Sequence, residues 1–261
     1  MACPFKAGLS GALLPLPLQV LSMSLRICIL ETDVLRPELV DQYQGYGRMF
    51  ERLFARQPIA AEFEVYNVMQ GVYPPEGKRF DAYLVTGSKA DSFGTDPWIQ
   101  TLKVYLLELY QRGDKLLGIC FGHQLLALLL GGKSERASKG WGVGIHHYTL
   151  APATEWMTPG MEKLTLLISH QDQVTALPEN ATVIASSEFC PFAAYHINDQ
   201  VLCFQGHPEF IHDYSRTLLD IRQECLGETV YRTGVASLDH DHHGLTVAEW
   251  MMRFVQHKAA V

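Results

Sequence analysis

The amino-acid sequence predicts an α/β fold with a mostly parallel central sheet, helices on both faces and a small antiparallel portion. Between residues 25 and 130, short apolar runs alternate with longer segments of helical spacing, which is typical of β-α-β units. Between residues 142 and 204, short strand-like runs follow one another without helices, which indicates that part of this block is antiparallel. With 48% hydrophobic and 19% charged residues, the chain can bury a full core.

The first half of the chain is expected to contain four strands and three helices. The strands are expected at residues 25–30, 62–68, 82–85 and 115–119. Three of them are mostly apolar runs, as in buried parallel strands, whereas the second alternates polar and apolar side chains. Pro37 lies near a first-turn position and opens a helix over residues 37–56, whose apolar side chains recur at helical spacing. Residues 97–111 and 125–130 repeat the helical pattern.

The second half contains five short strand-like runs and two closing helices. The strands are expected at residues 144–150, 164–169, 182–186, 192–197 and 201–204. The helices are expected over residues 208–225 and 246–257. Because no internal repeat, low-complexity tract or linker interrupts the pattern, we expect residues 23–261 to form one domain.

Residues 1–22 stand apart from this pattern. The segment is apolar with one lysine, but Pro15 and Pro17 interrupt it and no clean small-x-small cleavage site precedes the first strand. Met23 has the appearance of a natural start. A mis-assigned upstream start, a disordered leader and a targeting signal are therefore all open for this segment.

Composition argues against several kinds of partner and site. A net charge of −7 argues against a nucleic-acid partner, and no apolar run is long enough for a membrane-spanning helix. Scattered cysteines without C-x-x-C spacing argue against a disulfide framework or zinc site and favour reduced, buried thiols. The six are Cys3, Cys28, Cys120, Cys190, Cys203 and Cys225. The expected compartment is the cytosol, and nothing in the sequence indicates a cofactor.

The most informative segment is residues 118–124, which read Gly-Ile-Cys-Phe-Gly-His-Gln between an apolar strand and a helix. This is the cysteine form of a nucleophile elbow, a sharp turn that lifts its central residue to the edge of a sheet. We expect the glycines to relieve crowding around Cys120, and the N-terminus of the following helix to favour the thiolate.

A second motif follows another apolar strand about 85 residues later, where residues 205–210 read Gln-Gly-His-Pro-Glu-Phe. It supplies an imidazole at His207 and a carboxylate at Glu209. With Cys120, these residues supply a nucleophile, a general base and a group that orients the base. The sequence thus predicts a cysteine-nucleophile enzyme, although His207 and Glu209 also suit the start of a helix that begins at Pro208.

These two motifs together resemble the class I (triad) glutamine amidotransferases. Residues 84–88 (Leu-Val-Thr-Gly-Ser) match the family's oxyanion loop, and residues 169–174 (Ser-His-Gln-Asp-Gln-Val) match its GMP-synthetase-like branch. The resemblance covers residues 25–255, and residues 81–98 and 139–144 are most similar to stand-alone members, including plant-type γ-glutamyl peptidases. It implies a flavodoxin-like class I glutamine amidotransferase fold for the catalytic domain.

The resemblance also implies a role for each residue of the site. Cys120 attacks a γ-glutamyl amide and forms a glutamyl thioester, His207 moves the proton, and Glu209 orients His207. The oxyanion is met by N–H groups of Phe121 and of the loop at Gly87 and Ser88, although Gly87 also fits a simple turn glycine.

By the same resemblance, a further group of residues holds the α-amino and α-carboxyl ends of the substrate. These substrate-binding residues are Gln124, Ser169, His170 and Gln171. We expect the loops at residues 88–98 and 140–147 to select the leaving amine. His123 is expected to pack or hydrogen-bond and not to catalyse. Residues 239–243 (Asp-His-Asp-His-His) suit a polar loop as well as a metal site, and no metal site is expected.

Three functions remain open at the level of sequence. The first is a stand-alone hydrolase of a small γ-glutamyl compound, and the second is a glutaminase subunit that feeds ammonia to a separate synthetase. The third, a catalytically inactive binding protein, is disfavoured because the three catalytic residue types are present. The sequence has no Ser-Gly-Gly-x-Asp-Ser ATP-pyrophosphatase loop and no glycine-rich phosphate loop, so it is not that of a complete GMP synthetase.

Overall fold

Eleven strands and six α-helices are formed by residues 24–257, the part of the chain that the computed structural model describes. The leader expected at residues 1–22 lies outside these residues. The strands are β1 (Leu25–Glu31), β2 (Ala61–Asn67), β3 (Ala82–Val85), β4 (Leu116–Ile119), β5 (Lys133–Arg136), β6 (Gly142–Leu150), β7 (Lys163–His170), β8 (Asp172–Ala176), β9 (Ala181–Ser186), β10 (Ala194–Ile197) and β11 (Val201–Phe204). The helices are α1 (Pro37–Tyr43), α2 (Tyr46–Phe54), α3 (Pro97–Gln111), α4 (Phe121–Leu129), α5 (His212–Ser237) and α6 (Gly244–Gln256).

Nine strands form one sheet in the order β2-β1-β3-β4-β11-β10-β9-β6-β7. The pairs among β2, β1, β3, β4 and β11 are parallel, and the remaining strands extend the sheet in antiparallel fashion. Strands β5 and β8 pair separately as a two-stranded antiparallel sheet. The predicted α/β class and the change to antiparallel pairing after residue 142 are confirmed.

Alternation along β1 shows how the sheet is covered on both faces. Ile27 and Ile29 pack in one apolar cluster with α2 and α6, whereas Cys28 and Leu30 pack in another with α3 and α4. Because side chains of a strand alternate between faces and both sets are fully buried, β1 lies inside the fold. The parallel part of the sheet therefore has an apolar core on each face.

The helix expected over residues 37–56 is in fact two helices, α1 and α2. The break falls at Gln44 and Gly45, whose φ angles are 68° and 135°. The Gly47 N–H then donates to Glu31 Oε1 over 2.9 Å, which fixes the new helix against the end of β1. Apolar spacing continues across the break, so the pattern did not reveal it.

The helix expected over residues 208–225 is also displaced and longer. It begins at His212 and continues to Ser237 with a kink at Gly227, so Pro208 does not open it. The interpretation of His207 and Glu209 as the start of a helix is therefore wrong, and both remain in the connection between β11 and α5. Strands β5 and β8 were not expected.

Across residues 24–257, none of the helices is both long enough and apolar enough to cross a membrane.

Candidate active site

Cys120 lies between β4 and α4, at the carboxyl edge of the parallel strands. Its φ and ψ angles are 51° and −97°, a conformation that non-glycine residues rarely adopt, and only 5% of it is exposed. The Cys120 N–H donates to the Phe204 carbonyl over 2.9 Å, which ties the turn to the end of β11. The strained turn is held by the sheet, as the elbow interpretation requires.

The glycines on either side of Cys120 serve close packing. A Cβ atom at Gly118 would lie 2.8 Å from Cys203 Sγ, and one at Gly122 would lie 2.4 Å from the Val85 carbonyl oxygen. Neither glycine has a positive φ. They let the first turn of α4 lie directly on β3 and β4, and this brings the helix N-terminus to the thiol.

His207 and Glu209 follow β11 and reach the same edge. The His207 N–H donates to the Leu167 carbonyl over 2.8 Å, and its ring Nδ1 lies 2.7 Å from Glu209 Oε1. The face of the His207 ring stacks on the Phe210 ring, with ring centroids 3.9 Å apart and ring planes 10° apart. Because both polar side chains are buried, this pair is fixed in orientation.

Gly87, just after β3, lies next to both His207 and Cys120. A Cβ atom at this position would lie 2.7 Å from His207 Cε1 and 3.5 Å from Cys120 Cβ. His207 and Cys120 therefore both border Gly87, and only a residue without a side chain leaves room for the imidazole there.

The charge environment favours a protonated imidazole at His207. Burial alone would lower its pKa, but the negative charges of Glu209 and of the Cys120 thiolate outweigh burial and raise the pKa to about 10. In contrast, burial lowers the pKa of His123 and of His170 to about 3, and His146 adds to the effect at His170. Those two histidines are neutral near pH 7, and the His123 ring packs against Tyr195.

Thr32, which sequence reasoning missed, holds the loop after β3. Its hydroxyl lies 3.0 Å from the Gly87 carbonyl oxygen, and its N–H donates to Thr86 Oγ1 over 3.0 Å. The N–H groups of Gly87, Ser88 and Phe121 make no hydrogen bond to another of the described residues. These N–H groups are therefore free to donate to another group, and Gly87 and Phe121 both neighbour Cys120.

A cavity of about 160 Å³ opens over Cys120. It contains most of the predicted site residues together with charged side chains from other elements. The lining residues are Ser88, Lys89, Ala90, Asp91, Cys120, Gln124, Arg136, Trp141, Ser169, His170, Gln171, Asp172 and Arg222. Of the loops expected to select the leaving amine, only residues 88–91 and Trp141 reach it.

Three of the predicted substrate-binding residues lie where β7 passes into β8, whereas Gln124 lies on α4, and each of the four side chains already has a hydrogen-bond partner. The side-chain amide nitrogen of Gln124 donates to the Asp172 carbonyl over 2.9 Å and to Gln205 Oε1 over 3.1 Å. Gln171 Oε1 accepts from Arg136 over 2.7 Å. His170 Nδ1 lies 3.0 Å from the same Asp172 carbonyl, whereas its Nε2 is buried without a partner in the described structure.

Arg222 differs from the other cations of this cavity. Arg136 pairs with Asp172 at 2.6 Å and Lys89 with Asp33 at 3.2 Å. Arg222 on α5 donates to Ser169 Oγ over 2.5 Å and lies over the Trp141 ring, 5.3 Å from its centroid. Between residues 24 and 257 it has no carboxylate partner, so its charge is available to an anionic group in the cavity. No sequence motif surrounds Arg222, and only the packing of α5 against β6 and β7 brings it here.

The other histidines and cysteines singled out in the sequence have the following surroundings. His243 Nδ1 accepts the Thr165 N–H over 3.0 Å, and residues 24–257 contain no group of three or more metal-binding side chains placed to hold an ion. Cys28, Cys190 and Cys203 are buried thiols. Cys225 is exposed on α5, and Cys3 lies outside the described residues.

An α/β sheet with a thiol on a strained elbow beside a buried His–Glu pair has the architecture of a cysteine-nucleophile enzyme. A family model described as class-I glutamine amidotransferase matches residues 59–220, and the chain belongs to this family. The chain is therefore a cysteine-nucleophile enzyme of the glutamine amidotransferase class.

Individual relatives agree with this assignment. Gamma-glutamyl peptidase 3 of Arabidopsis thaliana is 35% identical over 176 residues, which cover 64% of this chain and 70% of that protein. A glutamine-hydrolyzing GMP synthase of Staphylococcus carnosus is 38% identical over 128 residues, or 46% of this chain and 24% of that protein. A glutamine amidotransferase structure from Thermotoga maritima has the same fold, with a TM-score of 0.73 at 16% identity over 90% of this chain and all of that one.

The space at Gly87 yields a direct test of the site geometry. In Gly87→Ala the new methyl group displaces the His207 ring, and we expect activity to fall by about 100-fold, as for a misplacement of about 1 Å. The melting temperatures of both variants are measured as well, so that loss of the fold is distinguished from displacement of the ring. Gly160→Ala is the matched control, since a Cβ there meets nothing within 4 Å. Equal activity in the two variants would contradict the placement of His207 against Gly87.

Proposed function

We propose that this protein hydrolyses a γ-glutamyl amide through a triad of Cys120, His207 and Glu209, with a glutamyl thioester as intermediate, and that it acts without a synthetase partner. The observation that carries the proposal is the buried His207–Glu209 pair beside a thiol on a strained elbow. Residues 23–261 would form the catalytic domain, and reduced cysteines support a cytosolic location.

The proposed first half-reaction forms the thioester. The Cys120 thiolate attacks the γ-carbonyl carbon, and the carbonyl oxygen becomes an oxyanion that accepts hydrogen bonds from the N–H groups of Phe121, Gly87 and Ser88. When the tetrahedral species collapses, the C–N bond breaks and the His207 imidazolium gives its proton to the leaving amine. Glu209 stabilises the imidazolium throughout and stays ionised.

The second half-reaction returns the enzyme to its starting state. A water molecule attacks the thioester carbon, and neutral His207 takes its proton. Collapse then expels the Cys120 thiolate and releases glutamate. The chemistry uses only protein groups and water, so the proposal includes no cofactor or metal.

Substrate recognition is proposed to combine fixed polar groups with one free cation. Gln124 Oε1, the Ser169 hydroxyl and the backbone of His170 and Gln171 would meet the glutamyl end of the substrate. Arg222, which has no carboxylate partner in the described part of the chain, suits a carboxylate. A γ-glutamyl peptide carries such a carboxylate on its leaving group, whereas the ammonia released from glutamine does not.

A glutaminase subunit that delivers ammonia to a separate synthetase is the second candidate. The GMP synthase relative supports it, but this chain matches only 24% of that protein. The peptidase relatives are matched over about 70% of their length and favour the stand-alone hydrolase. A catalytically inactive protein is the third candidate, and the family membership argues against it.

Chemical labelling tests the nucleophile. A glutamine-mimicking diazoketone should alkylate Cys120 and spare the other cysteines, because among the described cysteines only Cys120 borders the proposed base and oxyanion donors. Peptide mass spectrometry identifies the labelled residue. Exposed Cys225 is an internal control for ordinary thiol reactivity, and iodoacetamide should modify both. Diazoketone labelling chiefly at Cys225 or Cys190 would contradict the assignment of Cys120 as the nucleophile. The Cys120→Ala variant should be inactive but folded.

The pH dependence of kcat/KM tests the other two triad members. His207→Ala should reduce activity by about 10²- to 10⁴-fold, and Glu209→Gln should cost less, because Glu209 transfers no proton. The wild-type rate should fall as pH rises toward the pKa of His207 near 10, where the leaving amine loses its proton donor. Glu209→Gln removes a negative charge that raises this pKa, so the alkaline limb should move to lower pH. An unmoved limb would show that Glu209 does not act through His207.

The assay that separates the two main functions uses the purified protein alone with glutamine, glutathione and γ-glutamyl amines, and measures free glutamate. We expect turnover of a γ-glutamyl peptide without any partner. If glutamine were the only substrate turned over, and only after a synthetase is added, the result would instead support the subunit function. In Arg222→Gln we expect KM to rise roughly tenfold for glutathione and little for a γ-glutamyl amine without a carboxylate. Equal increases for both would place the Arg222 contact on the glutamyl end.

A further inference from the structure

The loop after β3 carries two of the proposed oxyanion donors, the N–H groups of Gly87 and Ser88, and it is hydrogen-bonded to the residues that follow β1. The Thr32 hydroxyl lies 3.0 Å from the Gly87 carbonyl oxygen and 3.1 Å from the Thr86 carbonyl oxygen. The Thr32 N–H donates to Thr86 Oγ1 over 3.0 Å. One side chain thus contacts the carbonyl oxygens of two successive peptides.

The direction of these carbonyl groups determines the direction of the two N–H groups. Both peptides are trans, so within each of them the C=O and the N–H point in opposite directions. Because both carbonyl oxygens face Thr32, the N–H groups of Gly87 and Ser88 point to the side away from it. Successive N–H groups that point to one side are a common way to bind an anion, and neither of these donates to another of the described residues.

Other bonds hold the two ends of this loop. The Thr86 N–H donates to the Leu30 carbonyl over 3.2 Å. The Lys89 N–H donates over 2.9 Å to Asp33 Oδ2, a carboxylate oxygen of the residue that follows Thr32. Because these bonds do not involve the Thr32 hydroxyl, loss of this hydroxyl should leave the loop in place and affect mainly the peptides in its middle.

Thr32 contacts the loop from outside and has no access to a substrate. It is 0% exposed and is not among the residues that line the cavity over Cys120. Thr86 Oγ1 also donates to the Gly87 carbonyl oxygen, over 3.3 Å, but Thr86 is itself part of the loop, so this contact does not tie the carbonyl to β1. Any effect of Thr32 on the reaction must therefore pass through the loop.

We propose that Thr32 is a positioning residue for the reaction at Cys120, and that its hydroxyl turns the N–H groups of Gly87 and Ser88 toward the oxygen that becomes negative when the γ-carbonyl carbon is attacked. Donors fixed in advance stabilise the transition state without reorganisation, whereas peptides that rotate lose part of this stabilisation. The effect belongs to kcat and not to KM, because the oxyanion exists only after attack. The effect on rate rests on the proposed function, whereas the effect of Thr32 on the peptides does not.

The kinetic test compares Thr32→Val, which keeps the shape of the side chain but loses the hydroxyl, with Thr32→Ser, which keeps the hydroxyl. With glutamine and glutathione as substrates, we expect kcat of Thr32→Val to fall by about 100-fold at nearly unchanged KM, and kcat of Thr32→Ser to stay close to that of the wild type. Thr165→Val is the matched control, since it also removes a buried hydroxyl that donates to a backbone carbonyl, and it should leave kcat unchanged. An unchanged kcat in Thr32→Val, or a kcat in Thr32→Ser as low as that of Thr32→Val, would overturn the proposal.

Alkylation by iodoacetamide separates a defect of the oxyanion donors from a defect of the thiol. This reaction joins an alkyl group to sulfur and forms no oxyanion, so its rate at Cys120 should be the same in Thr32→Val and in the wild-type protein. Peptide mass spectrometry at successive times measures this rate. An alkylation rate that falls together with kcat would show that Thr32 acts on the thiol, and would contradict its role toward the donors.

Crystal structures of the two Thr32 variants give a readout that does not depend on activity. In Thr32→Val the Gly87–Ser88 peptide should be rotated or adopt two orientations, whereas in Thr32→Ser the Gly87 carbonyl oxygen should stay within hydrogen-bond distance of the retained hydroxyl. An unchanged peptide in Thr32→Val would overturn the role of Thr32 whatever the substrate is. If the wild-type protein cleaved no γ-glutamyl compound, the proposed function would fail, and the peptide orientation would still decide the role of Thr32.

Discussion

Glu209 Oε1 lies 2.7 Å from His207 Nδ1 with both side chains removed from water, and the rest of the site is arranged around this contact. A buried carboxylate and imidazole are stable together only if their charges and hydrogen bonds are matched. Glu209 and the Cys120 thiolate together outweigh the cost of burying a charged His207. The pair thus makes a cation available beside a thiol, inside a region where electrostatic interactions are little screened.

The sheet supplies the rigidity that this charge pair requires. Cys120, His207 and Gly87 each follow a parallel strand, β4, β11 and β3, and these three strands are neighbours in the order β3-β4-β11. Their carboxyl ends therefore meet at one edge, which is where ligands bind in open α/β sheets. The Cys120 N–H bonded to β11 and the His207 N–H bonded to β7 fix the two side chains relative to each other. The backbone hydrogen bond of Cys120 holds the strained elbow and helps to offset the free-energy cost of its unusual φ and ψ angles.

Two cavities give the surroundings of the triad different chemical environments. The cavity over Cys120 contains three basic and two acidic side chains. A second cavity, which Glu209 helps to line, is mainly apolar, with arginines on its outer side.

The sequence by itself determined the α/β class, most strand positions, and the identity of the elbow cysteine and the His–Glu motif, because each depends on periodicity or on residues close together in the chain. Tertiary structure decided what distant residues do. Thr32 holds the Gly87 loop from 55 positions away, Arg222 enters the cavity from α5, and Glu31 fixes α2 after an unexpected break. Gly118 and Gly122 pack closely against Cys203 on β11 and Val85 on β3, and Gly87 borders His207 and Cys120. Such contacts produce no repeating pattern in the sequence, because they depend on which elements the strand order of the sheet brings together.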